Sequence, residues 1–204
     1  EINSCAESIG RYYDDLITCN AGPTNKMDHK RAIWMAMMSA NALEGVRFYV
    51  SFACSWAFAE LKKMERNAKI IKFIARAENT HLAATTTMLK LLVKEYKDFG
   101  KIAKEMESDV VKLFESVIEQ EKEWAHYLFR DGSMIGLNEQ ILCQFIEYTA
   151  HHSLLAINLE SPYLVESNPL PWMKHYLESD TVQVAPQETE ISTYLIGQID
   201  STIE

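Results

Sequence analysis

Residues 41–60 read NALEGVRFYVSFACSWAFAE, and residues 69–92 read KIIKFIARAENTHLAATTTMLKLL. The two runs set Glu44, Glu78 and His81 into sequence that is otherwise apolar at helical spacing. At about 100° per residue, Glu44 shares a stripe with Phe48, Ser51 and Ser55, with Phe52 at its edge. In the second run Ile71, Ile74, Glu78, His81 and Thr85 fall on one face, so a Glu-x-x-His pair projects from a largely apolar stripe. Both faces are expected to point inward.

A buried carboxylate without a partner costs several kcal/mol, so it holds its proton or finds a cation. A metal ion is one such cation. Ferritin-like carboxylate proteins build a dinuclear centre from one Glu on each of two helices and one Glu-x-x-His on each of two others. Glu44 with Glu78 and His81 amounts to one of each. The plainer alternative is a solvated Glu78–His81 pair one turn apart. Glu123 and His126 repeat the Glu-x-x-His spacing, but within the polar run EQEKE, which reads as a surface pair. His151 and His152 are expected to pair locally, with Glu147 one turn upstream of His151.

At 204 residues, 48% hydrophobic and 24% charged, the chain has the composition of one globular domain. The net charge of -9 and scattered Lys and Arg argue against a nucleic-acid binder, which needs a basic face for phosphate. No apolar run reaches the length of a membrane span and no secretory signal is evident, so no membrane partner and a cytoplasmic location are expected. Cys5, Cys19, Cys54 and Cys143 form no CxxC pair and read as idle thiols. There is no Gly-rich phosphate loop and no nucleophile elbow.

Helical periodicity predicts five helices, at 6–19, 29–64, 67–95, 101–129 and 138–159, with Asp28 as a cap for the second. No strand pattern is present, so the fold class is all-α, an elongated bundle over residues 1–177. The prolines at 162, 169 and 171 predict an irregular connection. Residues 178–204 hold six acidic residues and no Lys or Arg, the composition of a flexible tail or a docking peptide.

Four blocks carry a resemblance to a known family: NALEGVRFYVSFACSWAFAE, NAKIIKFIARAENTHL (67–82), WAHYLFRDGSMIGLN (124–138) and VQVAPQETEISTYLIGQID (182–200). In this order they resemble the class Ia ribonucleotide reductase small subunit, nearest its phage and enterobacterial branch. The likeness runs from Ala6 onward. It implies a ferritin-like homodimer whose di-iron centre, or a manganese one on the same donors, uses oxygen to generate a tyrosyl radical. A large subunit then uses that radical to make deoxyribonucleotides.

By resemblance, Glu44, Glu78 and His81 are metal ligands, and Phe48, Phe52 and Ile74 line the radical pocket. Tyr194 is the radical relay in a tail, residues 178–204, that docks on the large subunit. The location implied is cytoplasmic, the host cytoplasm for a phage protein.

The departures are specific. The family's Asp ligand, its first Glu-x-x-His and its radical tyrosine lie upstream of the matched region, so the resemblance implies an incomplete bundle of C-terminal helices. The missing N-terminal half of the small subunit is then a required partner, and activity of this chain alone is not expected. Ala77 stands where the family has an Asp. Two alternatives accompany this reading. One is a non-catalytic remnant that binds the large subunit. The other is a stand-alone ferritin-like iron-binding protein, in which two copies each give Glu44, Glu78 and His81.

Overall fold

The computed structural model describes residues 2–177, with side-chain surroundings from Ala6 onward. The Tyr194 and tail expectations lie outside the described residues. Helices account for nearly all of the described chain, and among the described residues there is no β-strand beyond a single Met134–Leu137 bridge. The elements are α1 (Ile2–Ala21), α2 (Lys26–Ala42), a π-helical turn (Leu43–Arg47), α3 (Phe48–Glu60), α4 (Glu65–Glu95), α5 (Lys97–Glu105), α6 (Glu107–Phe129), α7 (Glu139–Ala156), a 3-10 turn (Pro171–Met173) and α8 (Lys174–Leu177).

Local chemistry sets the boundaries. Gly22-Pro23 ends α1, as expected, but the cap of α2 is Asn25, whose side chain accepts the Met27 N–H at 2.9 Å. Asp28 instead lies in the first turn, bonded to Arg31 at 2.9 Å. The helix predicted over 29–64 is one helical path from 26 to 60, interrupted by the π turn. It stops where Lys62 and Met64 take left-handed backbone, with φ of 57° and 55°. The helix predicted over 101–129 is divided at Met106, and Gly100 lies inside α5 rather than at its edge. Tyr96, with φ -120° and ψ 112°, separates α4 from α5. The end of the helix predicted over 67–95 coincides with that of α4, whereas the break at Met106 carries neither Pro nor Gly, so periodicity gave no sign of it. Asn138 caps α7 through the Ile141 N–H at 2.8 Å.

The helices pack chiefly as neighbours in sequence: α1 on α2, α3 on α4 and α6 on α7. The core lies where α2, α3, α6 and α7 converge, with Trp56, Phe114, Phe145, Leu142 and Ile146 fully buried. Trp56 donates its Nε1–H to the Ala68 carbonyl at 3.1 Å, which fixes α3 against α4, and Tyr176 stacks on its ring with centroids 4.9 Å apart. Deep in this core the Arg47 and Glu121 side chains meet at 2.7 Å. Arg47 also donates to Gln120 Oε1 and to Ser8 Oγ, so α1, the π turn and α6 share one guanidinium.

α4 is sparsely buried for its length. Of its 31 residues only Ala68, Ala75 and Leu89 are fully buried. Its Glu-x-x-His face was expected to point inward, yet Ile74 is 43% exposed and the His81 side chain 57% exposed. Among the described residues no other helix covers that side.

Candidate metal centre

The site begins at the π turn. In a π turn the N–H of residue i+5 bonds back to residue i, and here the Phe48 N–H reaches the Leu43 carbonyl. The turn widens the helix by one residue around Glu44. A uniform 100° step therefore does not carry from Glu44 to Phe48, Ser51 and Ser55, and Ser51 is exposed. Gly45 is required inside the turn: a Cβ there would overlap Ser153 Oγ and lie 3.3 Å from Leu82 Cδ1. Its absence lets α7 and α4 close on the π turn.

Against this turn α4 sets Glu78 and His81. One ligand atom from each of Glu44, Glu78 and His81 lies within 4.8 Å of the others. Glu44 and Glu78 are half-buried and His81 is exposed. His81 Nδ1 is 3.1 Å from Glu78 Oε2, and Thr85 donates to Glu44 Oε2 at 2.9 Å. Asn41, fully buried, donates through Nδ2 to Thr85 Oγ1 at 3.2 Å and Thr86 Oγ1 at 3.0 Å. A chain of bonds thus runs from α2 through α4 to the Glu44 carboxylate.

Burial pushes the Glu44 carboxyl above its ordinary range, and the neighbouring Glu78 charge adds to this. The Thr85 hydrogen bond and His81 oppose it. Two phenols feel the same carboxylates. Tyr49 is raised by burial and by Glu78, and donates its hydroxyl to Asn79 Oδ1. Tyr13 on α1 is raised by burial and by Glu44. Two carboxylates and an imidazole are the donor set of a hard or borderline divalent ion. Three donors leave coordination positions open, and the hydrogen-bonded support of Glu44 is what an outer shell provides. The residues present fit one half of a dinuclear carboxylate centre.

The other sequence candidates separate from this cluster. Phe48 and Phe52 pack together, ring centroids 6.2 Å apart, whereas Ile74 sits one turn before Glu78 on the exposed side of α4. His126 lies on the surface as expected, but the side chain it faces is Glu139, at 3.2 Å, rather than Glu123. Glu147 pairs not with His151 but with Lys122, at 2.6 Å, and the His151 ring lies against His152. Cys54 is half-buried, and its thiol is pushed up to about 12, mainly by removal from water and then by the Glu121 charge. Asn41, Tyr49 and Asn79 had no signal in residue type. Thr85 had one, its place on the Glu78 stripe.

Comparison with known proteins adds what geometry alone does not. The chain is 48% identical to the ribonucleoside-diphosphate reductase 1 subunit beta of Salmonella typhimurium, across 100% of this chain and 59% of that protein. It is 38% identical to the ribonucleoside-diphosphate reductase subunit beta of Enterobacteria phage T4, across 98% of this chain and 59% of that one. It therefore spans about 59% of the length of these relatives. The solved ribonucleotide reductase R2 subunit of Clostridium botulinum superposes with a TM-score of 0.72 at 26% identity, over 83% of this chain and 50% of that one. A chain from Bacillus halodurans gives 0.73 at 23% identity, over 85% of this chain and 59% of that one, a likeness of fold alone. The bundle is thus ferritin-like, and the family carries a metal centre. The family model described as ribonucleotide reductase, small chain, matches residues 5–169, and the chain belongs to that family.

Proposed function

We propose that this chain is a portion of the radical-generating subunit of a ribonucleoside-diphosphate reductase, in which Glu44, Glu78 and His81 hold one half of a di-iron centre. The observation that carries this reading is the convergence of those three ligand atoms within 4.8 Å on adjoining helices. The remaining ligands come from a second helix pair outside these 204 residues, by analogy with the four-helix ligand set of ferritin-like proteins. Manganese suits the same donors.

When bound, the di-iron centre supplies, with oxygen, the oxidant that removes an electron from a tyrosine. The chain's own residues prepare the site. Thr85 orients Glu44 through its hydroxyl, and Asn41 fixes Thr85. Glu78 holds the His81 ring through Nδ1. Phe48 and Phe52 keep water from the α3 side, and Ile74 adds apolar surface that a covering helix would bury. Residues 178–204 dock on the large subunit, and Tyr194 relays the radical to it. The protein works as a homodimer in the cytoplasm. Among the described residues, no helix is long and apolar enough to cross a membrane.

Anaerobic Fe(II) loading of the chain and its Glu44→Ala variant tests the assignment. Iron bound by the parent and reduced in the variant is expected. Equal iron content in both would remove Glu44 from the ligand set.

A further inference from the structure

One segment runs against the charge of the whole. Residues 62–76 hold six Lys and Arg and a single acidic residue, Glu65, in a chain whose net charge is -9. They span the left-handed turn after α3 and the first part of α4, where Lys69, Lys72 and Arg76 recur at three and four residues and so share one stripe. At about 100° per residue that stripe lies on the other flank of α4 from Ile70, Ile74 and His81.

The stripe opens onto a cleft built entirely from described elements. Lys62, Lys69 and Lys72 line about 380 Å³ of it together with Glu60, His175 and Tyr176. The Lys72 ammonium donates to the His175 carbonyl at 2.9 Å, which fastens the chain after the 3-10 turn onto α4. Three ammonium groups face the carboxylates of Glu60 and Glu65 here. Glu60 is already engaged, accepting the Tyr176 hydroxyl at 2.9 Å and lying 3.7 Å from His175 Nε2. The cleft is therefore cationic at its rim.

Position and charge name the occupant. The described residues end at Leu177, next to Tyr176, and residues 178–204 hold six carboxylates with no Lys or Arg. Four of these, Glu178, Asp180, Glu188 and Glu190, fall within residues 178–190. An extended chain covers about 3.3 Å per residue, so Glu188 and Glu190 can reach any point of the Lys69–Arg76 stripe, which is about 10 Å long. Each exposed ion pair alone is weak. A segment tethered beside its target acts at a high effective concentration, and several such pairs then hold it.

We infer that residues 178–190 dock back on the chain that carries them, with Glu188 and Glu190 on the basic stripe of Lys69, Lys72 and Arg76. Engagement of another molecule by this segment then requires its release from the stripe. The inference is independent of the half-site reading, because neither stripe nor cleft contains Glu44, Glu78 or His81.

Coupling of amines to carboxylates by a water-soluble carbodiimide, applied to the 204-residue chain and mapped by mass spectrometry, tests the docking. A mixture of light and nitrogen-15 chains separates links within a chain from links between copies. Expected are links from Lys69 and Lys72 to Glu188 and Glu190 within single chains, lost at high salt, where exposed pairs are screened. Arg76→Glu alters no amine, and circular dichroism checks its fold. It is expected to lower the yield of those links about fivefold by replacing an attraction with a repulsion. The salt dependence of the parent keeps the test decisive whatever the fold of the variant.

Links from Glu188 and Glu190 chiefly to lysines elsewhere, such as Lys90 or Lys112, would overturn the docking by placing the segment on another face. Links joining light and heavy chains would overturn it in favour of a second copy. Links confined to Glu178 and Asp180, which the chain itself holds near the cleft, would overturn it and leave the stripe to an anion from another molecule. Equal yields in the parent and in folded Arg76→Glu would overturn it by showing that the charge of the stripe does not hold the segment.

Discussion

The Thr85 hydroxyl donates to Glu44 Oε2 at 2.9 Å, and this one bond ties α4 to the π turn at the point where their carboxylates converge. It is the only support among the opposing influences on Glu44 that comes from a neutral group, and a substitution can remove it without altering charge. Thr85→Val keeps the branched shape and loses the donor. Metal affinity is expected to fall about tenfold, in the range seen when an outer-shell partner of a ligand is lost. Thr85→Ser should recover most of it. Mn(II) titration of the three proteins measures this, and equal affinities would show that the bond does not position Glu44.

The same carboxyl gives the metal-free chain a distinctive pH response. Glu44 is held above the ordinary carboxyl value of 4.5 in the folded state, chiefly by burial. As pH rises past 4.5, the unfolded chain releases this proton first while the folded chain keeps it. More protons are then bound folded than unfolded, so stability falls with rising pH through that window. The loss is complete once pH exceeds the folded value. Thermal unfolding of the metal-free parent and of Glu44→Gln across that range checks the sign: the variant should lack this part of the decline. Parallel curves would show that Glu44 titrates alike folded and unfolded.

Gly45 is expected to tolerate no side chain. Gly45→Ala places a Cβ into Ser153 Oγ and close to Leu82, and displacing α7 or α4 should destabilise the fold by about 1–3 kcal/mol. The gain in helix propensity, about 1 kcal/mol, offsets part of this. Adding Ser153→Ala removes the nearest atom, and the double variant should regain part of the loss. Urea unfolding of the four proteins gives the coupling between the sites.

The Arg47–Glu121 pair is expected to behave asymmetrically. Both side chains are over nine-tenths buried, so Glu121→Ala leaves a guanidinium in the core and should cost about 3–5 kcal/mol. Replacing both members by apolar residues of similar volume should cost far less, because no charge is then stranded. Burial already pushes the Glu121 carboxyl upward against the pull of Arg47. Chemical denaturation of the single and double variants measures the difference.

The helical class and the Glu78–His81 pair were legible because each rests on spacing within a single helix, and the family resemblance because four blocks stand in order along the chain. Glu78 and His81 meet because they are one turn apart, and no tertiary information is needed to see it. Glu44 joins them only because α3 and α4 form a hairpin closed by left-handed Lys62 and Met64, which no residue type announces. The inward orientation failed for a related reason. Periodicity identifies an apolar stripe but not what lies over it, and on α4 the stripe through Ile74 and His81 is left open. The break at Met106 was hidden because a methionine is compatible with a helix interior.

The π turn at residues 43–47 can also be regarded as an inserted residue that the helix has absorbed. Removing one residue from that turn would restore regular hydrogen bonding and yield a straighter helix. It would also rotate everything before it by about 100° relative to α3. Glu44 and Asn41 would swing away from α4 while Trp56 stayed seated on Ala68. A chain shortened in this way would lose the approach of Glu44 to Glu78 and His81, so it is the irregularity in the helix, rather than its regular parts, that brings the three together.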